Sequence, residues 1–315
     1  MAELPHRPLG ASGISVSAFA LGSWRTYERI SREAGVAVLG AARECGIDFL
    51  EVARYNDETG RAPIATGYSE VVFGEVFRAS GWPCDEVTIA NKLWWEFWPE
   101  QTAREELAAS LERTGLEHFD FVYSDPPPAE LALEDVVAAV GELLADGTVR
   151  AWAIVNWPAE RLAEAGRIAR EQGVPAPCAA QLPYSLVARD WVESAEMTHA
   201  LERCDARVVA SFVLAGGALT GKYGAPGATG RLTGELDSPR FASALAAVEP
   251  LRALAAELDA TPATLAMAFA LANERVASVL FGATTPEQVH ENVRAAAIVS
   301  ALSDEQLSAL RAIGA

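Results

Sequence analysis

Along most of this chain a short β-branched or aromatic run is followed by a long alanine-rich amphipathic stretch, and the pair then repeats. "IDFLEVA" precedes "SEVVFGEVFRAS", "EVTIANKL" precedes "QTAREELAASLERTG", and "FDFVYS" precedes "LEDVVAAVGELLADG". The same rhythm continues through "VRAWAIVN", "APCAAQLPYS", "ARVVASFVL" and "ASVLFGA", each with a helical partner, and "FALGSW" near the start supplies an eighth strand. Strands separated by amphipathic helices run parallel, because a parallel pair cannot be joined by a tight turn. Eight such units, with no linker or composition break in 315 residues, predict an α/β chain folded as a (β/α)8 TIM barrel, a single domain spanning residues 1–315. An open dinucleotide-binding sheet would show GxGxxG after its first strand, and none is present. The N-terminal "LGASGISVSAFALG" alternates apolar residues around "ASG" and reads as a β-hairpin closing the barrel bottom. The longest aperiodic segment, "GKYGAPGATGRLTGELDSPRF", reads as a mobile active-site loop.

Charge and cysteine usage narrow the function. The formal net charge of −18 repels phosphate backbones, so neither nucleic acid nor an anionic membrane is expected as a partner, and a small-molecule substrate is. Four cysteines without CxxC spacing suggest neither a zinc site nor a disulfide framework. No apolar run approaches the roughly 18 residues that span a bilayer, and the start lacks signal-peptide regions, which leads to the expectation of a cytoplasmic protein. Nothing in the sequence indicates an oligomeric state.

In a barrel of this kind the C-terminal strand ends line the site. That rule selects Trp24, Glu51, Lys92, Asp125, Asn156, Gln181 and the segment 211–222. The carboxylate of Asp125, at the end of "FVYSDPPP", is the least expected, since an apolar strand needs no acid at its tip. Trp94 and Trp95 in "LWWEFW" read either as a hydrophobic substrate wall or as packing.

These same residues carry a family resemblance. "GIDFLEVA", "IANKLWW", "VRAWAIVNW", "QLPYSLVAR", "LAGGALTGKY" and "GATTPEQVHEN" resemble, in order and across nearly the whole chain, the motifs of the aldo-keto reductase superfamily. The resemblance implies a catalytic aspartate, tyrosine, lysine and histidine, of which only the lysine is unchanged, as Lys92. Glu51 stands at the aspartate position, Asn56 at the tyrosine position with Tyr55 one residue early, and Asp125 at the histidine position. It also implies NADP(H) as cofactor. The nicotinamide end would meet Asn156, Gln181, Ser211, Phe212 and Leu214, and the nucleotide end Lys222, Gly282, Thr284, Gln288, Glu291 and Asn292. Lys222 is a plausible partner for a 2′-phosphate. Ser211 stands where the family has an aromatic ring.

Hydride reduction of a carbonyl needs a proton donor, normally the tyrosine, and an asparagine cannot serve. Tyr55 lies one residue out of register, which at a strand end changes where a side chain points, but it stays open as a candidate for the missing phenol's role. Asp125, Glu51 and Lys92 then remain as an acid/base set, and generic aldehydes should be poor substrates. Three functions stay open: an NADP(H)-dependent reductase of a specialised carbonyl, enone or imine; a redox-neutral dehydratase, epimerase or cyclase; and a non-catalytic nucleotide-binding subunit. Bland roles are open beside them, with Asp125 capping a turn and Lys92 neutralising Glu51.

Overall fold

The computed structural model describes residues 4–57, 60, 62–224, 228, 230 and 232–314. Two short antiparallel strands, β1 (His6–Pro8) and β2 (Ser15–Ser17), form the N-terminal hairpin. Eight parallel strands follow: β3 (Phe19–Gly22), β4 (Phe49–Glu51), β5 (Thr88–Leu93), β6 (Phe121–Ser124), β7 (Ala151–Val155), β8 (Ala179–Pro183), β9 (Arg207–Ser211) and β10 (Val276–Phe281). They close in chain order, β10 returning to β3, as a (β/α)8 barrel.

Two cores follow from strand alternation. Outward-facing Leu50, Ile89, Val122, Ile154 and Ala180 pack beneath the surrounding helices. Inward-facing Ala20, Phe49, Ala90, Phe121, Ala153, Ala179 and Val209 fill the barrel, and Leu9, Ile14 and Val16 from the hairpin segment join them from below. The hairpin is thus a plug, and its apolar residues complete the interior layer. The same alternation decides the upper rim. Glu51 follows inward Phe49 by two residues, Lys92 follows Ala90, Gln181 follows Ala179, Ser211 follows Val209, and Asp125 follows Phe121 and Tyr123. Gly22 is the corresponding residue of β3, where an added Cβ would stand 3.2 Å from Glu51 Oε2.

Two helical stretches that read as continuous in sequence are divided. "VESAEMTHALERC" ends one helix at Glu193 and begins another at Ala195, because the Ser194 hydroxyl accepts the Met197 N–H at 3.3 Å and caps the second. "PEQVHENVRAAAI" divides into Pro286–Val293 and Ala295–Ala301. The loop expected to be mobile lies partly outside the described residues, at 225–227, 229 and 231. Its described part holds short 3-10 turns at Lys222–Gly224 and Pro239–Phe241. Among the described residues no single helix is long and apolar enough to cross a membrane.

Candidate active site

At the rim of the barrel, three side chains from two adjacent strands and one loop meet. Glu51, 1% exposed at the end of β4, receives Lys92 Nζ at 2.7 Å from β5. Tyr55 completes the group. Its hydroxyl donates to Glu51 Oε1 at 2.8 Å and accepts from Lys92 Nζ at 2.5 Å. The expectation that Asn56 fills the phenol position is therefore corrected: Asn56 is exposed, and Tyr55 points to the lysine.

The reason is a tight turn. Tyr55 N–H bonds the Ala53 carbonyl at 2.7 Å, only two residues back, and also the Ser69 hydroxyl at 3.1 Å. The Ser69 hydroxyl in turn lies 2.7 Å from the Ala53 carbonyl and 3.1 Å from that of Tyr55. Such a turn redirects the chain within one residue, and strand alternation no longer applies.

Around this centre the rings are ordered. Trp24, after β3, lies 6.4 Å from the Tyr55 ring and 5.6 Å from Phe212. Trp94 meets Tyr55 edge-on at 5.6 Å. Trp95 points the other way. It is 4% exposed in the outer core, has φ 59°, and donates its indole N–H to the Ser124 hydroxyl at 2.9 Å. Of the two roles open to Trp95, substrate wall and packing, the structure gives packing, since the chain leaves strand geometry after Leu93 and the Ser124 hydroxyl holds the indole in the outer core.

Asp125 is half-buried at the tip of β6, tied to the barrel by its N–H on the Leu93 carbonyl at 2.9 Å. The turn after it is closed by Leu131 N–H on the Pro128 carbonyl at 3.1 Å, and among the described residues no hydrogen bond reaches the Asp125 carboxylate. Burial raises its pKa to about 6, against the pull of Lys92 and helped by Glu106. Tyr55 is pushed well above the ordinary phenol range, first by burial, next by the Glu51 carboxylate and also by Asp125. The site therefore presents a protonated phenol beside an ammonium and, below about pH 6, a protonated carboxyl.

Buried carboxylates behind the rim hold these groups in place. Asn91 accepts the Lys92 N–H with its Oδ1 at 2.7 Å and donates its amide to Glu70 at 2.9 Å, while Glu70 pairs with Arg113 at 2.5 Å. Glu106 accepts the N–H groups of Trp94 at 2.8 Å and Trp95 at 3.1 Å. Sequence reading missed Ser69, Glu70, Arg54 and Glu106. The available signal was polar residues inside otherwise apolar helical faces and strand ends, such as the Arg of "EVARY".

The positions expected to meet a nucleotide lie on the other side of the rim. Gln181, 6% exposed, turns inward and its Oε1 is buried without a partner among the described residues, a feature that fits a carboxamide donor. Asn156 (φ 56°) is exposed at the end of β7, its N–H on the Gln181 carbonyl at 3.0 Å. Ser211 is buried at the end of β9, and Phe212 (φ 54°) turns outward onto Trp24. Beyond Leu214, Gly216 (φ 69°) and Gly217 (φ 102°) take conformations that favour glycine and wrap the chain toward exposed Lys222. After β10 the chain passes exposed Gly282, and Gln288 Oε1 accepts the Thr284 N–H at 2.8 Å. Glu291 Oε1 accepts the Thr261 hydroxyl at 2.7 Å, leaving its second oxygen, and Asn292 is buried beside it. A cavity of about 460 Å³ opens beside Trp24 and Phe212, lined also by Arg25, Leu232 and Arg240.

Known proteins resemble this chain along nearly its whole length. A family profile described as "Aldo/keto reductase family" matches residues 18–315. A relative from Schizosaccharomyces pombe named "Putative voltage-gated potassium channel subunit beta" is 32% identical over 324 residues, covering 97% of this chain and 92% of the relative. A relative from Oryza sativa subsp. japonica named "Probable voltage-gated potassium channel subunit beta" is 28% identical, covering 98% and 96%.

Proposed function

The chain belongs to the aldo/keto reductase family, and we propose that it is an NADPH-dependent oxidoreductase that reduces an aldehyde, ketone or enone with an apolar body. The observation that carries this reading is the Tyr55 hydroxyl held between Lys92 Nζ at 2.5 Å and Glu51 Oε1 at 2.8 Å. The family's proton donor is thus rebuilt from a residue one position early.

NADPH, when bound, supplies hydride to the carbonyl carbon. Gln181 and Asn156 would hold its carboxamide, with Lys222, Thr284, Gln288, Glu291 and Asn292 at the nucleotide end. Tyr55 gives its proton to the carbonyl oxygen as negative charge develops there. Lys92 stabilises the phenolate that remains, and Glu51 keeps the ammonium in place. Protonated Asp125 donates a second hydrogen bond to the same oxygen, as an oxyanion-hole donor does. Trp24, Trp94 and Phe212 exclude water from the reacting carbon.

A second reading takes its support from the relatives' names: the chain as a nucleotide-binding subunit of a channel. The redox-neutral alternative would use Asp125 and Lys92 without the nicotinamide. Calorimetry with NADPH and NADH, followed by NADPH consumption against a panel of aldehydes and enones, separates the three. Reduction of any carbonyl with tight NADPH binding is expected. Binding without turnover would favour the subunit, and turnover without NADPH the redox-neutral enzyme.

A further inference from the structure

Arg54 precedes the phenol in sequence, and its side chain leaves the site to end among acids. The guanidinium, 3% exposed, donates to Glu96 Oε2 at 2.7 Å, lies 3.9 Å from Glu106 Oε1, and donates to the Thr66 hydroxyl at 2.9 Å. Glu106 is itself 5% exposed and holds the N–H groups of Trp94 and Trp95. Phe97 covers the guanidinium at 4.8 Å. One cation therefore joins the loop that carries Tyr55 to the loop that carries Trp94, whose ring edge rests on Tyr55.

A buried guanidinium between two carboxylates is a poor way to gain stability, since apolar side chains of similar volume do as well or better. What the planar fork supplies is direction, because it meets several acceptors in fixed geometry. We propose that Arg54 is a positioning residue: through Glu96 and Glu106 it sets where the Trp94–Trp98 loop closes on Tyr55, and so how a bound carbonyl meets the phenol. The proposal rests on the reading of Tyr55 as proton donor.

The test compares Arg54→Met and Arg54→Lys with the wild type in kcat, KM, NADPH affinity and amide hydrogen exchange over residues 94–98. Arg54→Met should lower kcat about 10–100-fold, as a misplacement near 1 Å does. NADPH affinity should be unchanged and exchange at Trp94 and Trp95 faster, with Arg54→Lys recovering part of kcat. A structural role alone would leave the pH profile unmoved. Here Lys92, Tyr55 and Glu106 all face Asp125, and Arg54→Met leaves the Glu106 charge uncompensated, so the inflection assigned to Asp125 should rise. Unchanged kcat in Arg54→Met overturns the proposal and spares the reductase reading. If the wild type reduces no carbonyl, that reading fails and the positioning role fails with it. Should Arg54→Met not fold, Glu96→Gln carries the test, with lowered kcat at constant NADPH affinity expected and equal kcat overturning it.

Discussion

Replacing Tyr55 by phenylalanine removes one oxygen from the centre of the site and leaves its frame. Lys92 Nζ and Glu51 Oε1 remain 2.7 Å apart, so neither charge is left alone in the barrel mouth. Each loses one hydrogen bond, a stability cost of about 1–3 kcal/mol in total. The catalytic loss is larger. Without the phenol, Asp125 cannot take its place at neutral pH, because its carboxyl has lost its proton above about pH 6. A general acid contributes ~10²–10⁴ in rate, about 3–5 kcal/mol of barrier. NADPH consumption with an aldehyde should therefore fall by at least a hundredfold in Tyr55→Phe, with NADPH affinity kept. Asn56→Ala, at an exposed position, should be close to wild type. Turnover above a tenth of wild type in Tyr55→Phe, or an equal loss in Asn56→Ala, would refute the assignment.

Four further outcomes follow from the same geometry. Asp125 assists only when protonated and has a pKa near 6, so kcat/KM should fall as pH rises through about 6, and Asp125→Asn should abolish that inflection. Its raised folded-state pKa means that the proton's contribution to stability is full below about pH 4 and gone above about pH 6. At pH 7–8 Asp125→Asn should therefore be more stable than wild type, by about 1–2 kcal/mol after allowance for solvent screening, measurable by urea titration. Lys222→Ala should weaken NADPH binding about 10–100-fold and leave NADH unaffected, the value of one phosphate contact of roughly 1.5–3 kcal/mol, read by calorimetry. Gly74→Ala would place a Cβ 2.0 Å from the Thr114 carbonyl oxygen, and should destabilise the fold by about 1–3 kcal/mol through overpacking, visible as a lowered Tm.

The barrel and most of its rim were legible because two simple periods set them. Crossover helices between apolar runs require parallel strands, and period-two alternation from Phe49, Ala90 and Phe121 brings Glu51, Lys92 and Asp125 inward. The direction of the phenol was not legible for a physical reason. Tyr55 lies after β4, in a turn closed by Ala53 and Ser69, where backbone hydrogen bonds and not strand period decide direction. Comparing motifs position by position therefore gave its place to Asn56. Trp94 and Trp95 likewise lie past the end of β5, where the Ser124 hydroxyl and not strand period holds Trp95 in the core. Arg54, Glu96 and Glu106 are joined by tertiary contact across 52 positions of chain, which no local pattern reports.

The central claim, that hydride moves within this site and Tyr55 supplies the proton, is tested most directly by single-turnover reduction of an aldehyde with NADPH carrying deuterium at both nicotinamide C4 positions. One equivalent of alcohol per NADPH is predicted, with deuterium on the carbinol carbon and the step at least a hundredfold slower in Tyr55→Phe. Alcohol without deuterium, or NADPH that binds and is consumed by no carbonyl, would contradict it.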